Sequence, residues 1–354
     1  MPEGRELRLV RGAGAPEVTA SSVDPLALQD RFIAGFEASQ VARGFSPLTI
    51  DGSIATLHRF LALAAKPAWE LKPADVDDVV AELVQRGIGA VTRRDYVGVF
   101  KQFFAYLEAR HAPEVEASFG LRLANPVDQF HAGRHVSSDS PAVLPPPTPR
   151  RMEEFFAFLR DRMETARKWA PAARDYALFR TLYHVGLRSA EAAALELRDL
   201  HFDRGPFGKL HVRLGKAAKG SGPRPRWVPM LDDLALVLHW FVDDVRPRFK
   251  VAGPVVFCDE GGGELSSGSI RNRLAHLVEA EGRPAEERFS PHGLRHACAT
   301  RNYERGVDLV AIQQLLGHWT VGTTMRYVTP SSTFVEDAYR RAVSEVLGDL
   351  DEED

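Results

Sequence analysis

The chain has 354 residues, 44% of them hydrophobic and 26% charged, which is typical of a folded globular protein of roughly two domains and argues against a mostly disordered chain. No apolar run approaches the roughly 18 residues that a membrane-spanning helix needs, and the N-terminus lacks the apolar region of a secretory signal. The two cysteines, Cys258 and Cys298, are far apart in the sequence, which argues against a disulfide scaffold and against a cysteine-rich zinc site. We therefore expect a cytoplasmic protein without a membrane partner.

The net charge of −3 is unevenly distributed along the chain. Residues 149–330 carry a net charge of +6, whereas residues 331–354 carry −6 and end in an acidic tail. A basic central region permits nucleic-acid binding without requiring it. Charge alone favours ordinary solvated faces over a nucleic-acid site.

The first third of the chain has the pattern of a small helical bundle. Residues 1–24 show no periodicity and are expected to be disordered. Four stretches with apolar residues at helical spacing then follow with short polar breaks, at 25–43, 46–65, 73–87 and 90–110. The stripe of the first stretch is formed by Leu28, Phe32, Phe36 and Val41. We predict a domain formed by a helical bundle over 25–112.

Residues 113–148 include the run SSDSPAVLPPPTP, which cannot continue a helix and predicts an extended linker. The second domain, 149–330, has a mixed pattern. Helices are predicted at 149–167, 171–186, 232–245 and 269–281. Two alternating stretches, 210–215 and 226–230, predict strands joined by a Gly- and Pro-rich turn. The expected fold class is mainly α with a small β-hairpin or sheet, that is α+β.

Two clusters of polar residues interrupt these elements. In the first, an apolar helix meets the turn Gly186-Leu187-Arg188, and a second helix starts at Ser189 with Glu191 in its first turn. The fixed fork of an Arg side chain is suited to binding two phosphate oxygens together. The alternative is a structural Arg–Glu pair beside a helix N-terminus.

The second cluster lies within residues 290–328. His292 and Arg295 are three residues apart and share one face of a helix that begins near Pro291. The next helix ends at a Gly stop directly before His318, and Tyr327 comes nine residues after that histidine. Neighbouring elements thus bring together one Arg, two His and one Tyr.

Three other interpretations of the second cluster remain open. The spacing of His292 and His296 allows zinc ligation, although no Glu follows the first His. The stretch around Gly306 fits a DNA-reading helix-turn-helix. The histidines and the tyrosine also fit an ordinary protein core.

Taken together, the order R-x-x-E, a Lys-bearing hairpin, H-x-x-R-H, L-G-H and a Tyr nine residues later resembles the tyrosine recombinase/integrase family, of the Xer and phage integrase type. The resemblance covers both domains: the N-terminal bundle looks like the core-binding domain of that family, and 149–330 looks like its catalytic domain. It implies a site-specific DNA recombinase whose covalent intermediate is a 3′-phosphotyrosine.

The resemblance also implies roles for individual residues. Arg188 and Arg295 would bind the phosphate, with His292 and His318 as their partners, and Tyr327 would be the nucleophile. The hairpin lysine of the family falls at Lys216. The turn here is longer than usual, so Lys219 is a second candidate. We favour Lys216 because it directly follows the alternating strand.

The implied chemistry requires no cofactor and no metal, since guanidinium and imidazole donors can stabilise the charge on the phosphate. The implied partners are double-stranded DNA and further copies in a tetramer, either of this chain or of a paralogue. The segment 331–354 would contain a helix that docks on a neighbouring subunit, through an apolar stripe of Val335, Ala338, Ala342 and Val346. In the alternative interpretation, this helix packs on its own domain.

Two rival functions remain at this point. A type IB topoisomerase-like enzyme uses similar Arg, Lys, His and Tyr residues to relax DNA. A DNA-binding protein with a silent site would form no covalent adduct.

Overall fold

The structure is a computed structural model that describes residues 24–131, 146–213, 225–251 and 253–351, and it describes no side chains at 341, 342 and 344–351. Outside the described residues therefore lie 1–23 of the N-terminal segment predicted to be disordered, 132–145 of the predicted linker, and the hairpin turn with Lys216 and Lys219. The chain divides into two compact units, one up to Ala142 and one from Val143. The finer domain boundaries remain a prediction.

The described residues of the first unit, 24–131, form four α-helices: α1 (Pro25–Ala42), α2 (Pro47–Ala64), α3 (Pro73–Gln85) and α4 (Ala90–Phe119). The N-termini of α1 and α2 are capped by Asp24 and Ser46, whose side chains accept backbone N–H groups of the first turn. A proline at the first helical position of each fits the same geometry. The core is dominated by six buried phenylalanines: Phe32, Phe36, Phe60, Phe100, Phe103 and Phe104.

Two predictions for this unit were wrong. α4 continues to Phe119, nine residues beyond the predicted end, with Pro113 inside it. Val41 does not belong to the buried stripe of α1, because its side chain is 61% exposed while Gln40 is 3% exposed. Gln40 follows Phe36 at the i,i+4 spacing that shares a helix face, and Val41 does not.

The second unit is mainly helical, with one small sheet. Its helices are α5 (Pro149–Thr165), α6 (Trp169–Val185), α7 (Ser189–Ala193), α8 (Leu234–Trp240), α9 (Ser267–Ala280), α10 (Pro291–Glu304), α11 (Leu309–Leu316), α12 (Val321–Met325) and α13 (Ser332–Asp351). α8 is shorter than predicted, because a π turn (Phe241–Val245) and a 3₁₀ turn (Arg246–Arg248) follow it. Within the described residues no helix is both long and apolar enough to cross a membrane.

The sheet has three antiparallel strands in the order β1 (Leu200–His201), β2 (Lys209–Val212) and β3 (Arg226–Pro229). As the alternation predicts, Leu210, Val212 and Val228 face the core. His211 and Trp227 lie on the other face and stack with ring centroids 4.4 Å apart. The mainly α fold with a small sheet is confirmed.

On α13, Val335 is 42% exposed. The neighbouring residue Phe334 packs on α10, where its ring centroid lies 5.6 Å from that of Tyr303. Of the predicted stripe, Ala338 is half-buried, and the side chains of Ala342 and Val346 lie outside the described residues. Docking on a neighbouring subunit remains a prediction.

Candidate active site

The turn between α6 and α7 places Arg188. Gly186 ends α6 with φ of +67°, and a Cβ at this position would lie 2.7 Å from Leu316 Cδ2 and 3.1 Å from Cys298 Sγ. Only glycine combines this conformation with so close an approach of α10 and α11. The chain can therefore turn at Gly186 and present Arg188 as the N-cap residue of α7.

The carboxylate of Glu191 organises this turn. It accepts the backbone N–H of Arg188 at 2.9 Å and the Arg188 guanidinium at 2.7 Å. The guanidinium of Arg226 also binds the Glu191 carboxylate, with two hydrogen bonds of 3.1 and 2.8 Å. The Arg–Glu pair of the structural alternative thus exists, but the Glu191 side chain is buried, whereas the Arg188 side chain is 26% exposed. Arg188 can still present donors to a ligand.

Arg295 is almost completely buried on α10. Its guanidinium donates to the backbone carbonyls of Gly186 and Leu316, and to His318 Nε2 at 2.9 Å. Burial, together with the charge of Arg188, lowers the pKa of Arg295 to about 10. This side chain therefore connects the α6–α7 turn with the end of α11, and it remains charged at neutral pH.

His318 follows the glycine stop of α11, as the sequence predicted. Because its Nε2 accepts from Arg295, its Nδ1 carries the proton and donates to Thr324 Oγ1 at 3.0 Å. Burial and the charges of Arg295 and Arg188 lower the pKa of His318 to about 3. The imidazole is neutral at physiological pH, with a defined tautomer.

Three imidazole rings surround Tyr327. The ring centroid of Tyr327 lies 4.1 Å from that of His296, 4.5 Å from that of His318 and 5.1 Å from that of His292. The guanidinium carbon of Arg295 is 5.7 Å from the same centroid. The tyrosine therefore lies in a site that contains a buried cation and several imidazoles.

The two histidines of α10 are also neutral. Burial and then the charges of Arg295 and Arg188 lower the pKa of His292. Burial, the neighbouring His292 and then Arg295 lower the pKa of His296 to about 4. An arriving anion would raise these values, because an opposite charge favours the protonated imidazole.

The structure brings together five of the six predicted site residues: Arg188, His292, Arg295, His318 and Tyr327. Lys216, like the alternative Lys219, lies outside the described residues. Among the residues that are described, no group of three or more His, Cys, Asp or Glu side chains is arranged to hold a metal ion.

Sequence reasoning missed Arg226 as a member of the site. A detectable signal was present, because Arg226 is two residues before Val228 on β3 and therefore lies on the core-facing side of the strand. A charged residue at such a position requires a buried partner. That partner is Glu191.

This arrangement defines an anion site lined by guanidinium and imidazole groups, with a tyrosine beside it, as in enzymes that act on phosphate esters. Residues 157–333 match the phage integrase family. The chain is also 30% identical over 287 residues to the tyrosine recombinase XerC of Nitrobacter winogradskyi, covering 81% of this chain and 79% of that protein.

Two solved structures share the fold. One is the Tn1549 transposon integrase in complex with transposon right end DNA, with a TM-score of 0.63, 17% identity, and coverage of 88% of this chain and 99% of that chain. The other is the XerH recombinase in a post-cleavage complex with a palindromic difH substrate, with a TM-score of 0.63, 17% identity, and coverage of 92% and 90%. This chain belongs to the phage integrase family, and it is a tyrosine-type site-specific recombinase.

Proposed function

We propose that this recombinase cleaves and rejoins double-stranded DNA through a covalent 3′-phosphotyrosine at Tyr327. The observation that carries the proposal is the position of Tyr327, whose ring lies among the rings of His292, His296 and His318 and above the guanidinium of Arg295. The similarity to recombinases that were solved with DNA supports DNA as the substrate.

In the proposed step, the hydroxyl oxygen of Tyr327 attacks a backbone phosphorus. A bond from phosphorus to the tyrosine oxygen forms, and the bond to the 5′ oxygen breaks. The tyrosine loses a proton and the 5′ oxygen gains one. The phosphodiester energy is retained in the intermediate, so the reverse attack by a 5′ hydroxyl rejoins the strand.

Negative charge on the non-bridging phosphate oxygens would be stabilised by Arg188 and Arg295, with a hydrogen bond from His292. His318, whose Nδ1 proton is donated to Thr324, would add a hydrogen bond from Nε2 once it has taken up a proton. Such donors, fixed in advance, lower the barrier without reorganisation during the reaction. A phosphate that takes the donors of Arg295 also releases Nε2 of His318. Either His292 or His318 can then accept the tyrosine proton.

We propose Lys216 as the acid that protonates the leaving 5′ oxygen, with Lys219 as the alternative. No cofactor takes part in the proposed reaction. Strand exchange would occur in a tetramer on DNA, composed of this chain alone or of this chain and a paralogue. Because the proposed substrate is DNA, the reaction is proposed to take place in the cytoplasm.

The nucleophile is tested by covalent capture. Wild-type protein is incubated with sheared genomic DNA from its source, protein-linked fragments are recovered after denaturation, and their sequences define the site. A duplex with that site and a nick beside the cleavage position then traps the adduct. Tyr327→Phe should abolish the adduct and keep DNA affinity within a few fold, whereas Tyr303→Phe and Tyr339→Phe should retain it.

An adduct with Tyr327→Phe would contradict the assignment. A wild-type protein that binds DNA without any adduct would instead indicate a silent DNA-binding protein. Relaxation of supercoiled DNA without strand exchange would indicate a topoisomerase-like enzyme.

The acid is tested with a 5′-bridging phosphorothioate, whose sulfur leaving group needs no proton. Lys216→Ala should fail on normal DNA and recover cleavage on the sulfur substrate. Arg295→Lys should not recover, because its defect lies in charge stabilisation. Rescue of Lys219→Ala alone would reverse the choice between the two lysines.

A further inference from the structure

Arg226, the first residue of β3, makes three connections inside the candidate site. Its two terminal nitrogens donate to the two oxygens of Glu191, and its Nε donates to the backbone carbonyl of Leu315 at 2.8 Å. It also packs against Gly317, where a Cβ would lie 3.1 Å from Arg226 Cδ. One side chain thus joins the sheet, the start of α7 and the end of α11.

The charge of Arg226 helps to keep the buried carboxyl group of Glu191 ionised. Glu191 is buried, and burial alone raises the pKa of its carboxyl group. The hydrogen bonds and charge of Arg226, followed by the amide of Arg188 and the charge of Arg295, outweigh burial and hold that pKa below its usual value. A buried carboxylate that loses its main cationic partner is costly and tends to take up a proton.

We infer that Arg226 is a positioning residue, which holds the Glu191 carboxylate and the end of α11 and thereby sets Arg188 and His318 for the reaction. This inference rests on the proposed function of the site. The Arg226 side chain is only 9% exposed and its fork is occupied by Glu191. Its effect on the reaction is therefore exerted through other residues and not by gripping DNA.

The charged residues around Glu191 determine how its pKa, and with it the cleavage rate, should respond to the loss of Arg226. They are Arg188 from the α6–α7 turn, Arg226 from β3 and Arg295 from α10, whose nearest nitrogen is 4.0 Å from Glu191. The charge of Glu191 also acts on the titratable group of His318. In Arg226→Gln, burial of Glu191 remains while its strongest cationic partner is lost. The pKa of Glu191 must then rise, and a low pH should protonate it.

The test uses the full-length protein and the nicked duplex carrying the captured site. Arg226→Gln should cleave roughly 10- to 100-fold more slowly at pH 7, the loss typical when a residue that orients a site residue is removed. DNA affinity should fall less than about threefold, because many other phosphate contacts remain. The deficit should shrink as the pH rises from 6 to 9, since Glu191 is then ionised again.

A double variant separates positioning from an independent role. In a Glu191→Gln background the buried carboxylate is absent, and only the contact of Arg226 with the end of α11 is left to lose. Adding Arg226→Gln should therefore slow cleavage by a clearly smaller factor than it does in the wild type. The matched control is Arg213→Gln. Arg213 is another arginine of the same sheet region, bound to Asp199 and Glu196 and to the carbonyl of Ala194. The Arg213→Gln variant should cleave the nicked duplex at close to the wild-type rate.

Equal losses of affinity and cleavage in Arg226→Gln would overturn the inference, because they would indicate a DNA grip. So would cleavage within threefold of wild type, or a deficit that is independent of pH and multiplies with that of Glu191→Gln. If Arg226→Gln does not fold, Arg226→Lys decides: it should cleave several-fold more slowly than Arg213→Lys at every pH, and an equal rate refutes the inference. If wild-type protein forms no adduct, the proposed function itself fails.

Discussion

The two units differ in the kinds of side chain that they bury. In the first unit the buried residues are hydrophobic apart from Gln40 and His131, among the residues described there. The second unit buries several ionised groups, including Glu191, Arg295 and the pair Arg174–Asp175. Burying a charge is expensive unless it is paired, so these groups need a specific reason to be there.

That reason differs from place to place in the second unit. Arg295 and Glu191 fix the elements that carry Arg188 and His318, so their burial serves the site. The buried carboxylate of Asp175 instead binds Arg174 and Arg273, and Arg174 also donates to the backbone carbonyl of Cys258. The comparison therefore predicts that core substitutions in the first unit change stability, whereas substitutions of the buried charges that hold the candidate site, Glu191 and Arg295, change chemistry.

The largest effect on stability is expected for Phe100→Ala in the first unit. Phe100 is completely buried, and its ring centroid lies 3.6 Å from that of Phe60. Truncation of a buried Phe costs about 3–5 kcal/mol of unfolding free energy through lost burial and a cavity. Urea denaturation measures this loss.

The same variant should cleave the nicked duplex at the wild-type rate once bound, below its unfolding transition. A slower cleavage step in fully folded, DNA-saturated Phe100→Ala would break the proposed division between the two units. The control is Val84→Ala, at a 51% exposed position of α3, which should change neither quantity by more than about 0.5 kcal/mol.

Arg295→Lys should have the next largest effect, and on chemistry. Lysine keeps the charge but cannot reach Gly186, Leu316 and His318 with a rigid fork. Loss of such a donor set should slow cleavage roughly 10²–10³-fold, about 3–4 kcal/mol. Single-turnover cleavage and DNA affinity, measured side by side, would reveal a mere loss of binding.

Mild acid should weaken the second unit before the first. The pKa of His184 and of His296 is lowered to about 4 and that of His318 to about 3, in each case chiefly by burial. The unfolded chain takes up these protons near pH 6.5. Stability from these groups is therefore complete above about pH 6.5 and is lost as the pH falls towards 4 and then 3.

In the first unit, hydrogen bonds from Lys66 and Arg31 lower the pKa values of Asp75 and Glu114. The stability from those carboxylates is lost only below about pH 4.5. Hydrogen exchange read by mass spectrometry, corrected for the intrinsic pH dependence, should thus show lost protection in α10 between pH 6.5 and 4.5, and little in α4. Equal losses in both helices would contradict this difference.

The sequence predicted most helices of both units because their apolar stripes and caps are local signals. It failed where distant residues decide the outcome. α4 passes through Pro113 because residues beyond it are packed: Val115 is buried, and the ring of Phe119 stacks on that of Trp69 at 4.8 Å. Local propensity alone predicts a break at that proline.

In the site, motif order predicted five residues that the fold brings together, because the order and spacing of these residue types resemble those of one family. It could not predict which of them touch. Arg295 contacts His318, and the carboxylate of Glu191 binds Arg226 as well as Arg188. These contacts depend on how β3, α7, α10 and α11 pack. Sequence distance carries no information on such contacts.

The smallest effect is expected at the position where the predicted stripe was wrong. Val41 is 61% exposed at the end of α1, so Val41→Lys removes no core contact and should change the unfolding free energy by less than about 0.5 kcal/mol. Phe36→Ala, five residues earlier on the buried face, is the matched comparison and should cost about 3–5 kcal/mol. Urea denaturation of both variants is decisive, because a loss above about 1 kcal/mol in Val41→Lys would mean that the valine is covered in solution. Without that loss, the buried face of α1 is the one that contains Phe32, Phe36 and Gln40, and the hydrophobicity of a residue at the end of a helix does not establish that it faces the core.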